Sequence, residues 1–83
     1  MADPLTERVI EVVQDALRDA GAPLSARITA EDSMETVPGW DSLSFMSVFA
    51  AINDAFALNP DFDDAIHYTS VRKLCEYLRS RGS

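Results

Sequence analysis

The sequence predicts a small all-α fold, a bundle of three main helices and one short one. Three observations point there. Apolar residues recur at helical spacing in three separate stretches, each bounded by residues that start or stop helices. No stretch shows the sustained alternation of a strand. The chain has 83 residues, a length that suits one domain burying about 60% of its unfolded surface, with little core to spare. That single domain is expected over residues 1–83, structured from about residue 4 to about residue 80 because chain ends fray.

The first helix is expected from Pro4 to Ala20. Asp3 suits the N-cap, Pro4 the first helical position and Gly21 the position after the C-cap. Leu5, Val9, Val12, Val13, Ala16 and Ala20 fall on one stripe. A connection of unusual length follows, "GAPLSARITAEDSMETVPGW". Leu24, Ile28, Met34 and Val37 are its candidate anchors to the core.

The second helix is expected to begin with Asp41 as N-cap and Ser42 in the first turn, and to end near Phe56 or Ala57. Phe45, Val48, Phe49, Ile52 and Phe56 make its core stripe. Leu43, Met46 and Ala50, spaced i, i+3, i+7, form a second apolar line on nearly the opposite side. A helix apolar on two sides is either deeply buried or offers one side to a partner, and so small a domain favours the partner. "NPDFDDAIHY" reads as a turn and a short helix from Asp61 or Phe62 to His67, with early aspartates suited to a helix N-terminus. The last helix starts after Thr69 or Ser70, with Val71, Leu74, Cys75 and Leu78 as its core stripe and Arg79 and Arg81 favourable near its end. The terminal "RGS" is expected to fray.

Charge and composition exclude several functions. Hydrophobic residues make up 47%, too many for a disordered chain. The formal net charge is −7, and no Lys or Arg occurs from Ile28 through Val71. The same segment carries Glu31, Asp32, Glu35, Asp41, Asp54, Asp61, Asp63 and Asp64. Such a field repels nucleic-acid phosphates and attracts basic protein surfaces. No apolar run approaches the roughly 18 residues of a membrane span, and "MADPLTERV" lacks the pattern of a signal peptide. One cysteine, Cys75, forms no internal disulfide, and a reducing cytoplasm is the expected setting.

Catalysis by the chain itself finds little support. A nucleophilic serine needs a nearby base, and nothing in the spacing links the single histidine, His67, to Ser42. His67 reads as a helix-end residue that packs its ring or caps carbonyls. "GWDSL" is not a nucleophile elbow, which needs a strand before the turn. "DFDD" begins like a calcium loop, but Ile66 stands where glycine is required and no glutamate closes the loop. Cys75 reads as a core thiol, and no metal site is expected. A modification site fits better. A serine in the first helical turn keeps its hydroxyl at the surface, and a phosphodiester there would meet free N–H groups and the positive end of the helix. Asp41 would cap the helix and offer a carboxylate to the modifying enzyme's magnesium.

"GWDSLSFMSVFAAINDAF", after "EDSMETVP", resembles the prosthetic-group region of acyl carrier proteins. Asp41-Ser42-Leu43 matches that family's Asp-Ser-Leu hallmark, and the likeness extends over most of the chain, including the long loop and the Thr-Ser-Val start of the last helix. The resemblance implies a four-helix bundle of acyl-carrier type. It implies 4′-phosphopantetheine, transferred from coenzyme A to Ser42 by a separate phosphopantetheinyl transferase, and acyl groups held as thioesters on that arm. Asp41 takes the place of the family's preceding aspartate, and Leu43, Met46 and Ala50 take positions that face partner enzymes. A loading ligase and downstream biosynthetic enzymes are the implied partners of a non-catalytic monomer, with fatty acid or polyketide synthesis as the setting. An aminoacyl or peptidyl carrier shares the attachment chemistry, and an unmodified helical adaptor is the rival from another class. The sequence departs from fatty-acid-synthesis carriers on the second helix, where Ser44, Ser47, Ala51 and Asn53 leave little charge before Asp54. That departure points to a specialised, free-standing carrier.

Overall fold

The computed structural model describes residues 4–22, 27–59 and 62–82. Four helical elements follow one another: α1 (Pro4–Asp19), α2 (Ser42–Ala55), a 3₁₀ helix η1 (Phe62–Thr69) and α3 (Val71–Gly82). The small all-α bundle read from the sequence is the observed fold. Helix α1 packs against both α2 and α3, and η1 closes the remaining side against α2 and α3. Asp3, Leu24 and Asp61 lie outside the described residues, so their expected roles as cap, anchor and helix start do not enter here.

Two helix ends show the same hydrogen-bonded motif with different residues. At the end of α1, Gly21 N–H donates to the Arg18 carbonyl at 3.0 Å and Ala22 N–H to the Leu17 carbonyl at 2.9 Å. Gly21 takes the left-handed φ of 87° that this ending requires. At the end of α2, Ala57 N–H donates to the Asp54 carbonyl at 3.5 Å and Leu58 N–H to the Asn53 carbonyl at 2.8 Å. Ala57 adopts φ 53° at the equivalent place, a conformation that costs a residue with a Cβ about 1–2 kcal/mol.

The core corrects two of the three expected stripes. On α1 the buried residues are Thr6, Val9, Ile10, Val13, Ala16 and Leu17. Ala20 is exposed, and Leu5 and Val12 pack only at the margin. The stripe is rotated toward Ile10 and Leu17 because α1 must serve two neighbours, α2 and α3. On α2, Val48 and Ile52 are fully buried, while Phe45, Phe49 and Phe56 are half-buried at the edge of the core. Phe49 sets its ring against Tyr68, centroids 4.6 Å apart and planes tilted by 54°. On α3, Val71, Leu74, Cys75 and Leu78 are buried as expected, together with Tyr77. The Cys75 thiol donates to the Thr6 hydroxyl at 3.6 Å.

The short helix runs past His67 to Thr69, and α3 continues to Gly82, beyond the point where the sequence suggests fraying. Ser70 caps α3, its hydroxyl accepting from Lys73 N–H at 3.0 Å. The long connection is a strap tied at several points. Ile28 and Val37 are buried and Met34 packs beside them. Met34 N–H donates to the Thr69 carbonyl at 2.9 Å, and Val71 N–H to the Asp32 carbonyl at 3.1 Å, joining the strap to the start of α3. Ile28 N–H donates to the Gln14 side chain at 3.1 Å. Two exposed ion pairs, Arg27–Glu7 at 3.0 Å and Arg72–Glu31 at 3.2 Å, add at most about 1 kcal/mol each.

Candidate functional site

The strap ends in a tight turn that sets the first residues of α2. Gly39 holds φ 93° in this turn, and Trp40 N–H donates to the Val37 carbonyl at 3.1 Å. Trp40 is 1% exposed, so the turn is plugged into the core one residue before the helix. Among the described residues the buried indole Nε1 has no hydrogen-bond partner. Trp40 and Phe45 hold the two positions of a hydrophobic staple, which fixes the angle at which the chain enters α2.

Asp41 is the N-cap, in extended conformation. Its Oδ1 accepts from Leu43 N–H at 3.0 Å and from Ser44 N–H at 3.2 Å. Ser44 completes the box: its hydroxyl accepts from Asp41 N–H at 2.9 Å and donates to the Gly39 carbonyl. Sequence reasoning missed this role, reading Ser44 only as one of the residues that leave the helix with little charge. The spacing of Asp41 and Ser44 was the available signal, with serine in the place more often held by Glu or Gln. The result separates two hydroxyls two residues apart. Ser44 is 5% exposed and committed to the cap. Ser42 is exposed, and its hydroxyl makes no hydrogen bond to a described residue.

The two sides of α2 diverge from this point. Val48 and Ile52 face the core, whereas Leu43 is 87% and Met46 61% exposed, and Ala50 is exposed as well. The three residues of the second apolar line therefore lie at the surface, beginning beside Ser42. Ile66 on η1 is a further exposed apolar residue that the sequence pattern did not single out. Of the acids, Asp54, Glu35 and Asp63 are exposed, while Asp64 accepts from the Tyr77 hydroxyl at 3.1 Å. His67 is not brought into contact with Ser42. Its ring stacks on Tyr77, centroids 4.9 Å apart and planes within 14°. Among the described residues no group of three His, Cys, Asp or Glu is placed to hold one metal ion.

A family model, phosphopantetheine attachment site, matches residues 7–78. The chain belongs to this family. No curated protein and no solved structure matches it. Proteins of the phosphopantetheine attachment family carry 4′-phosphopantetheine covalently, and this chain is a phosphopantetheine-carrying carrier protein. Carrier domains of the family are generally non-catalytic. The local chemistry fits the group. An attachment point needs a reachable hydroxyl, room for a bulky anion and no base of its own. An exposed, unengaged serine at the first position of a capped helix meets each requirement, and the helix N-terminus favours the negative phosphodiester.

Proposed function

We propose that the chain is an acyl carrier protein whose arm is attached at Ser42. One observation carries the assignment: within the stretch matched by the attachment family, Ser42 is an exposed hydroxyl unengaged by any described residue, at the first position of α2. Ser42 Oγ forms a bond to phosphorus as the pyrophosphate bond of coenzyme A breaks and the adenosine bisphosphate leaves. The serine proton passes to a base on the transferase. Asp41 holds the first turn rigid through Oδ1 and leaves its second oxygen for the transferase's magnesium. When attached, the arm supplies a terminal thiol that holds acyl groups as thioesters. Leu43, Met46 and Ala50 form the surface on which the transferase, the loading ligase and downstream enzymes of fatty acid or polyketide type settle. Residues 1–83 act as one monomeric carrier domain in the cytoplasm.

Intact mass after incubation with a phosphopantetheinyl transferase and coenzyme A tests the assignment. One phosphopantetheinyl group is expected on the wild-type chain and none on Ser42→Ala. Label on Ser33, Ser44 or Ser47, or no label from a transferase of broad specificity, overturns it. Loading assays with acyl and aminoacyl ligases then divide the acyl carrier from an aminoacyl or peptidyl one.

A further inference from the structure

Ser42 occupies a part of a helix that ordinarily moves, since first turns fray where N–H groups lack partners within the helix. The segment around it is also open to water. From Pro38 to Leu43 only Trp40 is buried. On its α1 side the segment borders a cleft of 240 Å³, lined by residues 20–22 and by Gly39, Asp41, Leu43 and Ser44, so close packing does not support it there.

Hydrogen bonds give this segment its shape but not its place on the bundle. Trp40 N–H donates to the Val37 carbonyl and Phe45 N–H to the Asp41 carbonyl, the latter at 2.7 Å. Asp41 N–H donates to the Ser44 hydroxyl, and the Leu43 and Ser44 N–H groups donate to the Asp41 carboxylate. Each of these bonds starts and ends between residues 37 and 45. Within the exposed segment, the Trp40 ring is the tie to the core. It is 1% exposed and belongs to one cluster with Ile28 and Val37 of the strap and Val48 and Ile52 of α2. Its buried Nε1 meets no acceptor among the described residues, so the volume of the ring is what anchors the segment.

We propose that Trp40 is a positioning residue for attachment at Ser42. The ring holds residues 38–43 against the bundle, so that the Ser42 hydroxyl and the Asp41 carboxylate meet the transferase in one fixed arrangement. The proposal rests on Ser42 being the attachment point. A reacting oxygen displaced by about 1 Å can lose on the order of 100-fold in rate. Met46 and Ala50 lie farther along α2 and keep their places, so the loss falls on turnover rather than on docking. Trp40 is also a core residue, and its replacement destabilises the fold. The two effects separate because the carrier is the transferase's substrate. An unfolded fraction lowers the usable carrier concentration, which raises the apparent KM and leaves kcat alone. A misplaced serine lowers kcat.

The test measures transferase kinetics at varied carrier concentration for the full chain and for Trp40→Leu, Trp40→Phe and Ile52→Ala. Intact mass is expected to show one group on the wild type and none on Ser42→Ala. Trp40→Leu is expected to lower kcat by about tenfold or more. Trp40→Phe, which keeps a ring, is expected to restore most of that kcat. Ile52→Ala damages the core away from the segment and is expected to keep the wild-type kcat, its unfolded fraction appearing in KM alone. Amide hydrogen exchange supplies a readout besides activity. The Ser44 and Phe45 amides of the wild type are expected to exchange slowly despite lying at the helix start, and Trp40→Leu is expected to release them more than the amides of Val48 and Ile52. Unprotected Ser44 and Phe45 amides in the wild type overturn the proposal even where Trp40→Leu does not fold. A Trp40→Leu protein with the wild-type kcat, or an Ile52→Ala protein that loses as much kcat as Trp40→Leu, overturns it too. Each of these results leaves attachment at Ser42 intact, whereas a wild-type chain that gains no mass overturns both.

Discussion

Ser42 and Ser44 differ by two positions and by nearly everything else that matters physically. Ser44 is buried and bonds both ways, to Asp41 N–H and to the Gly39 carbonyl. Ser44→Ala strands both groups and is expected to cost about 1–3 kcal/mol. Asp41→Ala removes the cap from two N–H groups and is expected to cost about 1 kcal/mol. Ser42→Ala removes a surface hydroxyl with no described partner, so its stability should stay within about 0.5 kcal/mol of wild type. Urea denaturation midpoints check all three, and intact mass after transferase treatment should show no attachment for Ser42→Ala, slowed attachment for Asp41→Ala, which lacks the carboxylate proposed to meet the transferase's magnesium, and attachment as in the wild type for Ser44→Ala if it remains folded.

At the scale of the element, α2 carries two opposed demands. Its buried side holds it in the bundle through Val48 and Ile52, while Leu43 and Met46 stand in water next to the proposed attachment point. Met46→Ala is expected to leave the fold intact and to slow loading by the cognate ligase, since removing an apolar anchor costs about 1 kcal/mol or more of binding. The helix has one charged residue, Asp54, so loading should depend only shallowly on salt. Loading rates at rising salt, for both proteins, check this. Wild-type rates in Met46→Ala with steep salt inhibition would move docking to acids such as Glu35 or Asp63. The two helix ends give an independent check on element energetics. Gly21 suits its left-handed turn and Ala57 does not. Ala57→Gly is expected to raise stability by on the order of 1 kcal/mol, read from the denaturation midpoint.

The whole molecule is a thin core shared by four elements, with a strap stitched to it. Each interior residue therefore serves more than one contact. Ile52 is fully buried, and Ile52→Ala should cost about 2–5 kcal/mol, because so small a bundle has little material with which to refill the cavity. Ala50→Ser, on the exposed side, should stay within about 0.5 kcal/mol of wild type. Calorimetric or chemical unfolding checks the pair, and equal losses would mean that the two sides of α2 are reversed. Tyr68 gathers the η1 side. It is wholly buried, its hydroxyl donates to Asn53, and its ring meets Phe49 and Tyr77. The acidic segment stays on the surface around this core, since Glu31, Glu35, Asp41, Asp54 and Asp63 are all exposed.

What the sequence determined by itself is the order of the elements and the two boundaries that carry a strong local signal, because local chemistry fixes both. Gly21 stops α1, Asp41 starts α2, and periodic apolar residues fill the lengths between. It also placed Leu43, Met46 and Ala50 on the side of α2 away from Val48 and Ile52, because 100° per residue leaves no other arrangement. Tertiary structure decided how far each apolar residue is buried. Ile10 and Leu17 displaced Ala20 from the core because α1 has two neighbours, a fact no single helix encodes. Phe45, Phe49 and Phe56 stop at the core's edge, where Phe49 meets the ring of Tyr68 from η1. The cleft beside Ser42 belongs to the same class of fact. Its two walls lie about twenty residues apart in the chain, and only the packing of α1 against α2 brings them together.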